Sequence, residues 1–322
     1  MTPQLYPLQF HPILKERIWG GTKLKTVLNK PITSDITGES WELSTVENDV
    51  SVISNGAYAN RSLDDIVSSY PEEILGTKVY ERFGKQFPLL FKFLDAREDL
   101  SIQVHPNDEL AKKRHNSFGK TEMWYVMQAD PGSRIIVGFS ERSSPAEFMR
   151  NLDKKTLPSI LNQVEAKAGD VFFLETGTVH AIGAGIVIAE IQQTSDITYR
   201  VYDWDRVDDQ GKARELHLDL AIDAMNYEVV DAQKTYSKQV NQSNVMVDCP
   251  YFTTNFLPLD GTLEINKTGE TFTVYMCVDG RFTLEMISGK CDFKKGDTVL
   301  IPADLREYSL SGTASLLEIY IS

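Results

Sequence analysis

Cysteine is scarce in this chain: Cys249, Cys277 and Cys291 form an odd, widely spaced set with no C-x-x-C pair. That argues against a disulfide framework, a thiol redox couple or a cysteine metal clip, and the three read as reduced and mostly structural. Long apolar runs are also missing, since no window approaches the ~20 consecutive apolar residues that a membrane span requires. Positive charge is in short supply: 33 Lys and Arg stand against 46 Asp and Glu, a net charge of -13. Such a balance opposes nonspecific binding to nucleic acid, whose phosphates demand clustered cations. The opening stretch, Met1 to Pro7, has neither a basic n-region nor an apolar h-region. No secretory leader is expected, and the cytoplasm is the default compartment. Neither nucleic acid nor membrane is expected as a partner. A small anionic substrate remains compatible, given a local basic patch.

The 322 residues, 42% of them hydrophobic, suffice for two domains and a sizeable core. Short apolar runs bounded by turn residues predict a mainly β chain with a few helices in the first half. Trp19 and Trp41 fall in such runs and read as core. Ser62 caps a helical stretch that continues, interrupted at Pro71, to about Phe83. Phe87 to Asp95 reads as a buried strand carrying one lysine, Lys92, which more often snorkels to an edge than faces a polar cavity. A short helix is expected over Leu110 to Arg114. The runs 122–128 and 134–139 bracket Asp130-Pro131-Gly132-Ser133, which predicts a hairpin. Ser144 and Pro145 open helical segments to about Gln163, and a last helix spans about His217 to Met225. The polar stretch 230–245 reads as a linker between a catalytic unit, 1–229, and a C-terminal unit, 246–322.

The stretch richest in chemistry is Ser101-Ile102-Gln103-Val104-His105-Pro106. On a strand, Ser101, Gln103 and His105 share one face while Ile102 and Val104 pack on the other. Glu122 opens a neighbouring apolar run, and His180 begins another strand after the turn at Thr176-Gly177. Two histidines, a glutamate and a glutamine are N and O donors that suit a divalent metal such as zinc. A single histidine on a strand is more often structural than a ligand. His11, His115 and His217 take that plainer reading.

Gly169 to His180 aligns without gaps on Gly296 to Glu307, an internal repeat. Glu307 stands in the place of His180, and no histidine follows His217. The second copy therefore keeps the scaffold and lacks the metal set.

A Gly-Asp strand pair ending in His, together with Gln-x-His and a following Glu, resembles the cupin pattern. More closely, the chain resembles the type I mannose-6-phosphate isomerases in their short bacterial form. The matching stretches are RIWGG (17–21), GESWELS (38–44), PLLFKFLDAREDLSIQVHP (88–106), GKTEMWY (119–125), GTVHA (177–181), EIQQTSDITYRVYDWDR (190–206) and RELH (214–217). They run in the family's order over the first two-thirds of the chain.

The resemblance implies two jelly-roll domains of cupin type, the second degenerate, and one zinc ion per chain held by Gln103, His105, Glu122 and His180. It implies interconversion of mannose 6-phosphate and fructose 6-phosphate through a cis-enediol, by a monomer or homodimer. Arg200 would be the cationic partner of the developing oxyanion and Glu190 a candidate base. Lys120 is either a proton-transfer group or a phosphate contact. Ser101 and Lys92 would meet the substrate. Two other readings stay open: an iron-dependent cupin oxygenase using His105, Glu122 and His180, and a sugar-phosphate-binding cupin without turnover.

Overall fold

The computed structural model describes residues 5–208 and 210–322. The first four residues, part of the stretch read as lacking a leader, lie outside the described residues. The fold is mainly antiparallel β, as expected, and no described helix is long and apolar enough to cross a membrane.

Two sheets face each other in the first two-thirds of the chain. One has seven strands in the order Ile13–Gly21, Thr37–Leu43, Leu89–Ala96, Ile186–Gln193, Glu122–Ala129, Val171–Leu174 and Gln233–Lys234. The other has five: Tyr199–Tyr202, Ile102–Val104, His180–Ile182, Arg134–Phe139 and Leu161–Glu165. Strand partners across each sheet put alternate residues on the inner face, the arrangement of a jelly roll. Trp19, Leu94, Trp124, Val126, Ile135, Val137 and Phe172 fill one end of the space between the sheets. The other end stays polar and becomes the site.

The expected hairpin does not form. Glu122–Ala129 pairs with Val171–Leu174 and Ile186–Gln193, whereas Arg134–Phe139 pairs with Leu161–Glu165 and His180–Ile182. The turn at 130–133 therefore carries the chain from one sheet to the other. Its exit is fixed by the Asp130 N–H on Gly185 O (3.0 Å) and the Ser133 hydroxyl on Ala184 O. Turn chemistry predicts a reversal of direction but not which sheet receives the next strand. Helical segments run nearly as far as expected: Pro145–Asp153 is α-helical, Leu157–Ile160 forms a 3-10 turn, and Gln163 lies on the Leu161–Glu165 strand.

The helices occupy the flank. Ser62, Asn107 and Ser144 each accept a bond from the backbone N–H three residues on, capping Leu63–Ser69, Asp108–His115 and Pro145–Asp153. The stretch from 63 to 83 forms three short helices, broken at Pro71 and Gly76. The final helix spans Leu218–Ala224.

The remaining chain forms a sheet in the order Asn244–Asp248, Thr253–Asn266, Glu307–Tyr320, Thr273–Met286, Gly289–Lys294, with Thr298–Ile301 also paired to Thr273–Met286. It does not stand apart. Leu8 exchanges two backbone bonds with Leu300 (2.8 and 3.0 Å), and the Phe87 and Phe272 rings lie 4.9 Å apart. One apolar core thus runs from the flanking helices into the C-terminal sheet.

Candidate metal centre and active site

Register places the polar residues in two facing rows. On the five-stranded sheet Gln103 lies opposite His180 on one neighbour and Arg200 on the other. On the seven-stranded sheet Glu190 lies opposite Lys92 and Trp124, and Lys92 lies opposite Trp41. Both rows open onto one cavity of about 600 Å³, lined among others by Lys92, Ser101, Gln103, Lys120, His180, Glu190 and Arg200.

At its floor, donor atoms of His105, Glu122 and His180 lie within 4.8 Å of one another, and all three residues are buried. Each imidazole is oriented by its far nitrogen: His105 Nδ1 lies 2.8 Å from Ile197 O, and His180 Nδ1 lies 2.8 Å from Thr178 O. A carbonyl can only accept, so Nδ1 carries the proton and the Nε2 lone pair faces inward. Burial and the nearby Lys120 charge hold both rings neutral, pushing His180 down to about 3 and His105 well below its usual range.

The two Nε2 atoms approach Glu122 Oε1 at 3.7 Å (His105) and 3.3 Å (His180), and that oxygen, fully buried, has no hydrogen-bond partner among the described residues. Lys120 and the Gln103 amide nitrogen reach the two imidazole lone pairs, but no donor among the described residues reaches Glu122 Oε1, and a cation set among the three atoms would satisfy it. The donor set therefore fits one divalent ion. Gln103 stands beside it, its amide nitrogen donating to His180 Nε2 at 3.3 Å and its oxygen accepting from the Ser101 hydroxyl at 3.5 Å.

Next to the donors lies a buried charge network. The Lys120 ammonium donates to Glu122 Oε2, lies 3.1 Å from His105 Nε2 and 3.9 Å from Glu190. Burial opposes its charge, but Glu122 and Glu190 outweigh burial and raise it above the ordinary lysine range. Glu190 accepts from Trp124 Nε1 (3.0 Å) and pairs with Lys92 (3.1 Å). Burial pushes its carboxyl up, yet Lys120, Lys92 and the Trp124 bond bring it down to about 2. Glu190 is thus an ionised anchor for two lysines. Lys92 does not snorkel: it is buried in the cavity wall beneath the Trp41 ring, 4.8 Å from its centre. The strand buries both faces, and the carboxylate opposite it compensates the charge that snorkelling would otherwise have to carry to water.

Arg200 is half-buried on the cavity wall; its Nη1 donates to Glu215 O (2.9 Å), and its Nε has no partner among the described residues. Other lining residues fall outside the set expected from the sequence. Arg17 grips Glu39 through Nε (2.9 Å) and Nη2 (3.2 Å), and Glu39 also accepts from Trp41 Nε1 at 2.6 Å. Arg214 lines the rim and holds Asp203 through two bonds, 2.7 and 2.6 Å. The available signal was a charged residue inside each of the short motifs RIWGG, GESWELS and RELH. Trp19 and Trp41 are buried as expected, and both also line the cavity.

Residues 7–129 match the family model described as phosphomannose isomerase type I, catalytic domain, and 241–321 match the mannose-6-phosphate isomerase cupin domain. The mannose-6-phosphate isomerase of Bacillus subtilis is 38% identical over 97% of this chain and 98% of its own length. That of Streptococcus mutans is 36% identical over 97% of each. A crystal structure of the mannose 6-phosphate isomerase from Bacillus subtilis superposes with a TM-score of 0.90, at 33% identity, covering 98% of this chain and 100% of that one. A putative mannosephosphate isomerase from Archaeoglobus fulgidus shares the fold, with a TM-score of 0.81 at 22% identity over 99% of each chain.

Proposed function

The chain belongs to the type I phosphomannose isomerases, a metal-dependent family, and on that premise we propose how its cavity interconverts mannose 6-phosphate and fructose 6-phosphate. The observation that carries the proposal is the unpartnered Glu122 Oε1 facing two imidazole lone pairs beside Lys120 and Glu190. Family membership favours turnover over the binding-only and oxygenase readings.

The reaction moves a proton between C1 and C2 through a cis-enediol, so it needs a proton carrier and compensation for charge on two oxygens. Zinc, held by His105, Glu122, His180 and Gln103, would supply Lewis acidity toward those oxygens. Lys120 and Glu190 form the proton-transfer pair, close enough to exchange a proton through a substrate oxygen or one water. Arg200 presents a fixed positive charge to the developing oxyanion. Ser101 and Lys92 meet the substrate, and Lys92 also anchors Glu190. The guanidinium groups of Arg17, Arg200 and Arg214 on the cavity lining form the local basic patch that a phosphate requires in a chain of net charge -13. The catalytic unit takes in 1–229 and, through the strand Gln233–Lys234, the first part of the stretch read as a linker, and the supporting unit, read as 246–322, begins with the strand at Asn244, in a cytoplasmic monomer or homodimer.

The deciding experiment follows fructose 6-phosphate formation from mannose 6-phosphate before chelation, after it, and after zinc is restored. Loss and recovery of turnover support the proposal. Metallated protein that binds the sugar phosphate without converting it would leave only the binding reading.

A further inference from the structure

Arg200 stands on Tyr199–Tyr202, the edge strand of the five-stranded sheet, where one side of the backbone has no strand neighbour among the described residues. An unpaired backbone edge is free to fray, and a side chain carried on it loses its aim. At Arg200 that edge is closed by a single residue. The Arg200 N–H donates to His217 Nδ1 at 3.2 Å, and the His217 N–H donates to Arg200 O at 2.8 Å. His217 thereby imitates a further strand, with its ring nitrogen as acceptor and its own backbone as donor. Two residues earlier, Glu215 O takes the Arg200 Nη1. One short segment, the RELH motif, thus fixes both the backbone and the guanidinium of Arg200.

We propose that His217 is a positioning residue for Arg200: its imidazole and backbone close the sheet edge so that the guanidinium is held toward the cavity. This rests on the role given above to Arg200. The chemistry requires the Nδ1 lone pair, and therefore the tautomer with its proton on Nε2. The shape of the ring is not what matters. Asn offers an oxygen at the Nδ1 position, whereas Gln offers one further out, at the Nε2 position.

The test combines His217→Asn, His217→Gln and His217→Ala, alone and with Arg200→Ala. The expected result for His217→Ala and His217→Gln is a fall in kcat of about 10²-fold, the scale of a misaimed catalytic group, with a smaller change in KM. His217→Asn recovers most of the loss. In the Arg200→Ala background, assayed at high enzyme concentration, His217→Ala costs less than about threefold more, because the group it aims is already gone. Amide hydrogen exchange at Arg200, read in each His217 variant carrying native Arg200, gives a readout independent of activity. Protection persists with Asn and falls with Ala and Gln. Equal losses in both backgrounds, Asn no better than Gln, or an Arg200 amide that exchanges freely in the native protein would each overturn the proposal. If the native protein does not isomerise the sugar phosphate, the functional reading falls, and the exchange pattern alone decides whether the clamp exists.

Discussion

The two copies of the internal repeat share a backbone and differ in what they enclose. Gly169 and Gly296 have φ of 91° and 92°, and the following Asp170 and Asp297 accept from the N–H of Lys167 and Lys294, each at 2.8 Å. The resemblance continues into the central strand. Glu190 lies opposite Trp124 and Lys92; Glu318 lies opposite Tyr275 and Asn255. Trp124 donates to Glu190 at 3.0 Å and Tyr275 to Glu318 at 3.4 Å, while Lys92 and Asn255 reach the other oxygens at 3.1 and 3.0 Å. In both copies a buried carboxylate sits at the same node of the sheet. Around Glu190 its surroundings are cations and an open cavity; around Glu318 they are Lys267, Ser243, Tyr275 and Tyr308, packed against Leu310 and Leu316. A scaffold can therefore keep its polar node while exchanging chemistry for packing.

The largest effect that would break this comparison is expected at the metal donors. Glu122→Gln removes the anionic donor; turnover should fall by at least ~10³-fold and bound metal per chain should drop with it, read by elemental analysis. Thr273 occupies the corresponding start of strand in the second copy, as Leu174 opposite Glu122 and Ile301 opposite Thr273 show. Glu307→Gln, at the place of His180, should leave both quantities within about twofold. A metal loss at Glu307 would end the distinction between the copies.

Next comes the shared carboxylate. Glu190→Gln should lower kcat by ~10²–10⁴-fold, the range of a proton-transfer group. Glu318→Gln should leave kcat within about twofold and instead cost about 1.5–3 kcal/mol of stability, the scale of bonds to a buried charged group. The pH dependence has a definite sign. Burial pushes the Glu318 carboxyl up, but Lys267 and its hydrogen bonds bring it below its ordinary 4.5. Its stabilisation is therefore complete above about pH 5 and lost as pH falls through the lowered value. Denaturation curves of Glu318→Gln should consequently converge with the native protein's in acid. Divergence there would show that the carboxylate is not held ionised by Lys267.

Much of the site was legible because period-two alternation is a strong constraint: Ser101, Gln103 and His105 on one face, with His180 on a strand start, needed only a common cavity. The long-range pairings were not legible. Asp130-Pro131-Gly132-Ser133 signals a turn equally well whether the next strand joins the same sheet or the facing one, and the hairpin expectation failed on that ambiguity. Lys92 looked like a snorkelling lysine because its counterion, Glu190, is 98 residues away in sequence, and Arg17 and Glu39 drew no attention because their pairing depends on strand register. The repeat was visible in sequence, but the equivalence of Glu190 and Glu318 needed the sheet, since the spacing from His180 and from Glu307 differs by one residue.

The smallest effect tests the turns that begin both copies. Gly169 and Gly296 have the same positive φ, so Ala at either position carries a backbone cost of about 1–2 kcal/mol. Their surroundings differ. A Cβ on Gly169 would meet only Lys238 Nζ and Tyr236 OH at 3.6 Å, whereas one on Gly296 would come within 2.4 Å of Leu28 O. Gly169→Ala should therefore show the backbone cost alone, and Gly296→Ala that cost plus displacement of the chain at Leu28, a residue of the continuous core. Chemical denaturation should thus rank Gly296→Ala as the more destabilising of the two. Equal losses would mean that the contact with Leu28 yields at no cost and that the second copy braces the N-terminal region less firmly than its packing indicates. A larger loss at Gly296 would mean that the copy without a metal set is retained for the core it completes.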